Sequence, residues 1–255
     1  MLAVSLGLPP LTVAGLVLGA FFAFLVASTL GVGGPVILMP TLMLVLSPAE
    51  AVAMVLPPLV ANGVAKLALF GRDVDWKAIA YLASAALPLA FVAAFFTGNL
   101  DPQVIKALIA GLVLAVVILP RVLQREFEFG PRGLIAWGLL GGTAGGLAGA
   151  AGPPMAIAFK GYGLSRVHFI ATIAVMQIAL PVVRFPGYSS TGLFNSDYLV
   201  LAVLMSIVAV IAVPIGGRLA ERMEVETFRK GLDLLLVCIA VTMIASLAYA
   251  AFSPG

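Results

Sequence analysis

Apolar residues run through almost the whole chain, and short polar or glycine-rich interruptions divide them into two similar series of five stretches. The first series is residues 11–30, 36–46, 48–71, 76–98 and 103–120, and the second is residues 133–149, 154–163, 165–186, 197–217 and 227–251. Most stretches approach the roughly 20 residues that a helix needs to cross a bilayer. The second stretch of each series is shorter and, at about 1.5 Å per residue, reaches only about half-way. The pattern predicts an all-α polytopic membrane protein.

Two glycine-proline motifs interrupt the apolar pattern at matching places. Residues 31–35 read Gly-Val-Gly-Gly-Pro, and residues 149–153 read Gly-Ala-Ala-Gly-Pro. Glycine permits backbone conformations that are closed to other residues, and proline can open a helix. Each motif therefore predicts that one helix ends and another starts. Broken helices at corresponding places in two halves point to a transporter binding site.

The two series are copies of one unit. A constant shift that carries Gly31 onto Gly149 also carries Pro35 onto Pro153 and Lys66 onto Arg184. We expect a first repeat at residues 1–120, a cytoplasmic linker at 121–132 and a second repeat at 133–255. The first two stretches of each repeat form a hairpin, whether it re-enters or crosses fully, so three transmembrane helices follow it. The number of crossings is then odd, and the two repeats are inverted.

Basic residues near the ends of the stretches support this count. With the hairpins, all of them except Lys106 fall on one side of the membrane, which is the asymmetry that marks the cytoplasmic side. Four simple crossings per repeat would instead divide them almost evenly. Both termini are therefore expected outside.

Composition excludes several function classes. Of 255 residues, 62% are hydrophobic and 10% charged, which leaves no room for a soluble domain. The single cysteine, Cys238, and the single histidine, His168, cannot form a metal site, and no phosphate-binding loop is present. We expect no cofactor, no catalytic residue and no nucleic-acid partner. The lipid bilayer and a small anion are the expected partners, and a homo-oligomer remains open.

Three basic residues, Lys66, Lys160 and Arg184, fall inside apolar stretches, and no carboxylate does so convincingly. Charged groups inside a membrane are costly and usually line a pathway, so an anionic substrate is the natural counter-ion. The alternative is that these side chains extend to the headgroups. In the hairpin count Lys66 lies toward the inner side and Arg184 toward the outer side, each level with its own Gly-Pro break.

The expected site combines the two breaks with polar residues on the helices that follow. Asn62 precedes Lys66 on one face and Gln177 precedes Arg184, so their amides could donate to oxyanion oxygens or, alternatively, join helices. The predicted substrate-binding residues are Gly31, Gly33, Gly34, Pro35, Asn62, Lys66, Gly149, Gly152, Pro153, Gln177 and Arg184.

The chain resembles the sulfite exporter TauE/SafE family of bacterial membrane proteins over nearly its whole length. The resemblance rests on the glycine-rich breaks, the short helix with Pro40, the duplicated unit and the Asp75-Trp76 start of the next stretch. It implies transport of sulfite, sulfoacetate or related sulfonates across the cytoplasmic (inner) membrane. An alternating-access carrier is the leading hypothesis, and an anion channel or an intramembrane enzyme or assembly subunit are the alternatives.

Overall fold

The protein is helical throughout the part that the computed structural model describes, namely residues 9–31, 34–122, 128, 130–149, 151–194, 198–222 and 241. The helices are α1 Pro10–Leu30, α2 Gly34–Leu42, α3 Pro48–Met54, α4 Leu56–Phe70, α5 Trp76–Thr97, α6 Pro102–Val122, α7 Pro131–Ala148, α8 Gly152–Gly161, α9 Arg166–Ser190 and α10 Leu199–Arg222. Helix α6 extends into the predicted linker at residues 121–132, and α7 begins before that linker ends. The predicted stretch 227–251 falls, apart from residue 241, outside the described residues.

Five helical stretches in the described part are long and apolar enough to cross a membrane. They are Pro10–Thr29, Pro48–Asp73, Trp76–Thr97, Arg166–Ser190 and Leu199–Leu219. The chain is therefore a multi-pass membrane protein. Helices α2 and α8 are the predicted short ones, with 9 and 10 residues.

Both glycine-proline motifs break the helix as predicted. Helix α1 ends at Gly31, with φ 87°, and α7 ends at Gly149, with φ 67°. This left-handed conformation suits glycine because it has no Cβ to clash with the backbone. The next helices start at Gly34 and Gly152.

The third stretch of the first half is divided into two helices. Ser47 and Glu50 form a capping box at the start of α3, which satisfies amides that have no partner within the helix. Pro57 and Pro58 follow at the start of α4. Because they have no amide N–H, they interrupt the regular series of helical backbone hydrogen bonds near Val55. The corresponding helix α9 continues without interruption for 25 residues despite two internal prolines.

The two halves pack reciprocally. Helix α1 lies against α10 and α7 lies against α5, so the first helix of each half contacts the fourth stretch of the other half. The third stretches, α4 and α9, pack against each other, and each also contacts the fourth stretch of the opposite half. The interior of the described bundle is thus formed between the halves as much as within them.

A line of glycines brings α7 onto the backbone of α5. Gly138, Gly142 and Gly146 recur every fourth residue, and a Cβ at any of them would collide with α5 near Leu82, Ala86 and Ala90. Small residues at this spacing let membrane helices approach closely. The close contact fixes the helix that leads to the second break.

Candidate functional site

Each break packs against the start of the third stretch of the other half. A Cβ at Gly31 would collide with Phe169 and lie close to Ile170 in α9, and one at Gly149 would collide with Met39 and approach Val52 in α3. Val52 and Ile170 correspond under the shift that relates the halves. The breaks are therefore closely packed elements of the interface between the halves.

A cavity lies between the two breaks. Its volume is about 30 Å³, and it is partly open to the surroundings. Its lining combines the second break, one residue of α8, six residues of α9 and two residues of the first half: Pro35, Leu59, Gly149, Ala151, Gly152, Met155, Ile173, Met176, Gln177, Leu180, Pro181 and Arg184. Five of the predicted site residues are thus brought together here, namely Pro35, Gly149, Gly152, Gln177 and Arg184.

Arg184 is the cation of this cavity. Its side chain is only 1% exposed, and it donates from Nε to Leu180 O at 3.1 Å and from Nη1 to Gly145 O at 2.6 Å. Tyr188, one turn later, donates to the neighbouring carbonyl of Gly146. A guanidinium carries five N–H donors, so these backbone bonds hold Arg184 in place while leaving donors for an oxyanion. The arginine is thus anchored by backbone carbonyls, and these two hydrogen bonds use only part of its donors.

Lys66 occupies the matching position of the first half but does not line the cavity. It is 1% exposed, and its Nζ donates to Ala27 O at 3.4 Å and to Gln177 Oε1 at 3.3 Å. The shift that relates the halves carries Ala27 onto Gly145. Both buried cations therefore donate to the corresponding carbonyl, close to the end of the first helix of their own half.

Part of the positive charge is offset by the helices themselves. Ala27 and Gly145 lie near the C-terminal ends of α1 and α7, where the helix dipole is negative, and the Gly145 carbonyl also accepts the Gly149 amide at 2.9 Å. A cation there stabilises the break. The sequence predicted a different role for the same groups, as ligands for an anion, and the two roles are compatible where donors remain.

The start of α8 offers few amides to a ligand. Pro153 and Pro154 carry no N–H, and the amide of Met155 donates to Ala151 O at 3.3 Å. Gly152 therefore supplies the one amide among the first three residues of this helix. A Cβ at Gly152 would meet nothing within 4 Å, because this glycine faces open space.

Asn62 lies away from the cavity. Its Nδ2 donates to Ala209 O in α10 at 3.1 Å, and its Oδ1 has no partner within the described part of the chain. This contact joins helices, which is the alternative that the sequence left open. The corresponding residue of the second half is Leu180, which does line the cavity.

The remaining predicted residues lie close to the cavity without lining it, except for one that lies outside the described residues. Gly31, Gly34, Lys66 and Pro153 are buried elsewhere around the breaks, and Gly33 lies outside the described residues. Lys160 and His168 are exposed, and His168 pairs with Ser165 at 2.8 Å. Of the cations predicted inside apolar stretches, Lys66 and Arg184 are the buried ones.

The sequence did not identify the apolar walls, formed by Leu59, Ile173, Met155, Met176 and Leu180. In a chain this apolar, no local signal separates a methionine that faces a cavity from one that packs against a helix. Tyr188 was also missed, although it follows Arg184 by one helical turn. In the described part of the chain, no group of histidine, cysteine or acidic residues could hold a metal ion, and no carboxylate is buried.

Comparisons with known proteins identify the family of this chain. The model of the family described as "Sulfite exporter TauE/SafE" matches residues 16–243. A "Probable membrane transporter protein" of Haemophilus influenzae is 22% identical over 254 residues, covering 89% of this chain and 96% of that protein. No solved structure matches. Because the family model covers most of the chain, this protein belongs to the sulfite exporter TauE/SafE family of membrane transporters.

Proposed function

We propose that the protein is a secondary transporter of small sulfur-containing or organic anions, such as sulfite, sulfoacetate or related sulfonates, and that the cavity beside Arg184 holds the anion. One observation carries the proposal. A buried arginine lines a cavity between the two helix breaks, while the described residues bury no carboxylate that could neutralise it. An anion from solution is then the natural counter-charge. The family, and the relative named as a transporter, favour transport over catalysis.

The cavity suits an anion with one compact head. Arg184 supplies charge and fixed donors, and Gln177 and the amide of Gly152 add neutral polar groups. The other walls are mainly aliphatic or methionine side chains. Arg184 can balance the single charge of hydrogensulfite, a sulfonate or a carboxylate, and the apolar walls suit a short carbon chain attached to such a head.

Alternating access between inverted repeats is the proposed mechanism. The reciprocal packing of α1 on α10 and of α7 on α5 supports a twofold relation between the halves. The cavity is lined mainly by the second half, so rocking of one half on the other would close it at Gly149 and open the corresponding space at Gly31. In this scheme the anion moves between the two breaks along α4 and α9.

Matched serines test the inversion. Ser47 and Ser165 correspond under the shift, and both are exposed residues at the starts of α3 and α9. In a Cys238→Ser background, Ser47→Cys should be labelled by an impermeant thiol reagent from outside the inner membrane, and Ser165→Cys only from the cytoplasm. Labelling of both from one side would refute inverted repeats and the predicted outward termini.

Flux measurements test the function. Purified protein in liposomes should accumulate labelled sulfite or sulfoacetate with saturation, and preloaded unlabelled anion should drive counterflow. Arg184→Gln should abolish the flux, whereas Arg132→Gln, an exposed arginine at the start of α7, should not. Saturable counterflow excludes a channel. Absence of anion flux in the wild-type protein, with correct insertion, would contradict the proposal.

A further inference from the structure

We infer that Lys66 is a positioning residue: it holds the Gln177 side chain so that the amide NH₂, and not the amide oxygen, is offered to the anion in the cavity. The inference rests on the proposed function, since it assigns a role within that site. It starts from one contact between the halves, in which Lys66 Nζ of α4 donates to Gln177 Oε1 of α9 at 3.3 Å. Gln177 lines the cavity and Lys66 does not.

The chemistry of the two groups determines the orientation. A neutral glutamine amide can present either its oxygen or its NH₂ group, and the two are similar in shape. An ammonium can only donate, so Lys66 must bind the oxygen. The NH₂ group is then the free end of the amide, and it forms no hydrogen bond to another described residue.

Burial makes this orientation persistent. Lys66 is 1% exposed and is also held by the carbonyl of Ala27. The described residues provide no buried carboxylate that could draw its ammonium away. Rotating the amide would place its NH₂ against a buried cation and leave the carbonyl of Ala27 as the only described acceptor of the ammonium, which is costly in a water-poor interior.

The consequence is that the two polar side chains of the lining, Gln177 and Arg184, offer only donors to the cavity. Arg184 has no acceptor, the Gly152 amide donates, and Gln177 donates once its oxygen is occupied. Such a lining recognises an ionised head that only accepts hydrogen bonds, such as a sulfonate, sulfite or carboxylate, and disfavours a head that carries its own N–H donors. The corresponding residue of the first half is Leu59, so this device exists in the second half alone.

Two other roles for Lys66 give different results. As a direct ligand, Lys66 would contribute to affinity independently of Gln177. As a purely structural group that joins α4 to α1, it would affect stability and leave affinity unchanged. A double-mutant cycle on affinity separates all three roles, because residues that act through one another are not additive.

The cycle combines Lys66→Met with Gln177→Leu. It is repeated with Lys66→Gln in place of Lys66→Met, so that the test can still be made if one lysine variant misfolds. Dissociation constants are measured on detergent-solubilised protein with sulfite, methanesulfonate and acetate, using whichever binds the wild-type protein most tightly. Thermal unfolding of each variant is recorded in parallel.

We expect Gln177→Leu to weaken binding roughly tenfold to a hundredfold, the range for a hydrogen bond to a charged group. Lys66→Met and Lys66→Gln should also weaken binding, and each of their double variants should bind within about threefold of Gln177→Leu alone. Lys66→Arg should retain affinity because a guanidinium also only donates.

If the losses of affinity in the single variants multiply in the double variants, Lys66 binds the anion directly and the inference is overturned. If Lys66→Met and Lys66→Gln bind the anion as tightly as the wild-type protein, Lys66 has a structural role and the inference is overturned. If the folded wild-type protein bound none of the three anions, the proposed function itself would fail, and the inference with it.

Discussion

Lys66 and Arg184 occupy matching positions in the two halves, and each donates to the matching carbonyl, Ala27 O or Gly145 O. Their surroundings differ beyond that point. Arg184 lines the cavity, whereas Lys66 reaches it only through Gln177. The duplicated unit thus preserves the way a buried cation caps a helix break, while the cation of one copy alone lines the cavity. Repeat symmetry predicts where the buried charges lie better than it predicts which of them lines the cavity.

The largest expected difference between the halves concerns affinity. Arg184→Gln should weaken anion binding roughly tenfold to a hundredfold, because it removes the charged donor from the cavity. Arg184→Lys should be only a partial replacement, since an ammonium cannot donate two parallel hydrogen bonds to an oxyanion. Dissociation constants of purified variants, with Arg132→Gln as the control, provide the measurement. Wild-type affinity in Arg184→Gln would remove this residue from the site.

The sequence revealed what depends on local pattern. Glycine and proline marked the breaks that the structure has at Gly31 and Gly149, and the rarity of charge in apolar stretches singled out Lys66 and Arg184. These features follow from backbone geometry and from the cost of burying charge, so they can be read one residue at a time.

The composition of the cavity could not be read in the same way. Gln177 lines it and Asn62 does not, although both are amides on the helix that carries the cation. The difference depends on how α9 and α10 pack around α4, and it is a property of the assembled bundle.

Backbone strain is the next comparison. Gly149→Ala should destabilise the protein by about 1–2 kcal/mol for a left-handed alanine, plus the cost of displacing Met39 and Val52, which its Cβ would approach. Gly163→Ala is the matched control, because Gly163 has φ 86° but a Cβ there would meet nothing within 4 Å. The unfolding temperature of Gly149→Ala should therefore be lower than that of Gly163→Ala. Equal unfolding temperatures would mean that the second break is not tightly packed.

The smallest expected effect is at Asn62. Asn62→Leu gives the first half the residue that the second half has at Leu180, and it removes the hydrogen bond to Ala209 O. The affinity for the anion should change less than about threefold. The free energy of unfolding should change by about 0.5–1.5 kcal/mol, the value for one neutral hydrogen bond. A loss of affinity as large as that of Arg184→Gln would instead place Asn62 among the ligands, as the sequence alone suggested.

The most direct test of the central claim is protection of an engineered thiol by the transported anion. Met176→Cys places a thiol in the cavity wall without altering Arg184 or Gln177, and Met205→Cys places one at an equally buried position that does not line the cavity. In a Cys238→Ser background, the anion should slow alkylation of Met176→Cys, with half-maximal protection at its dissociation constant, and leave Met205→Cys unaffected. Alkylation of Met176→Cys at an unchanged rate, in a preparation that binds the anion, would show that the anion binds elsewhere.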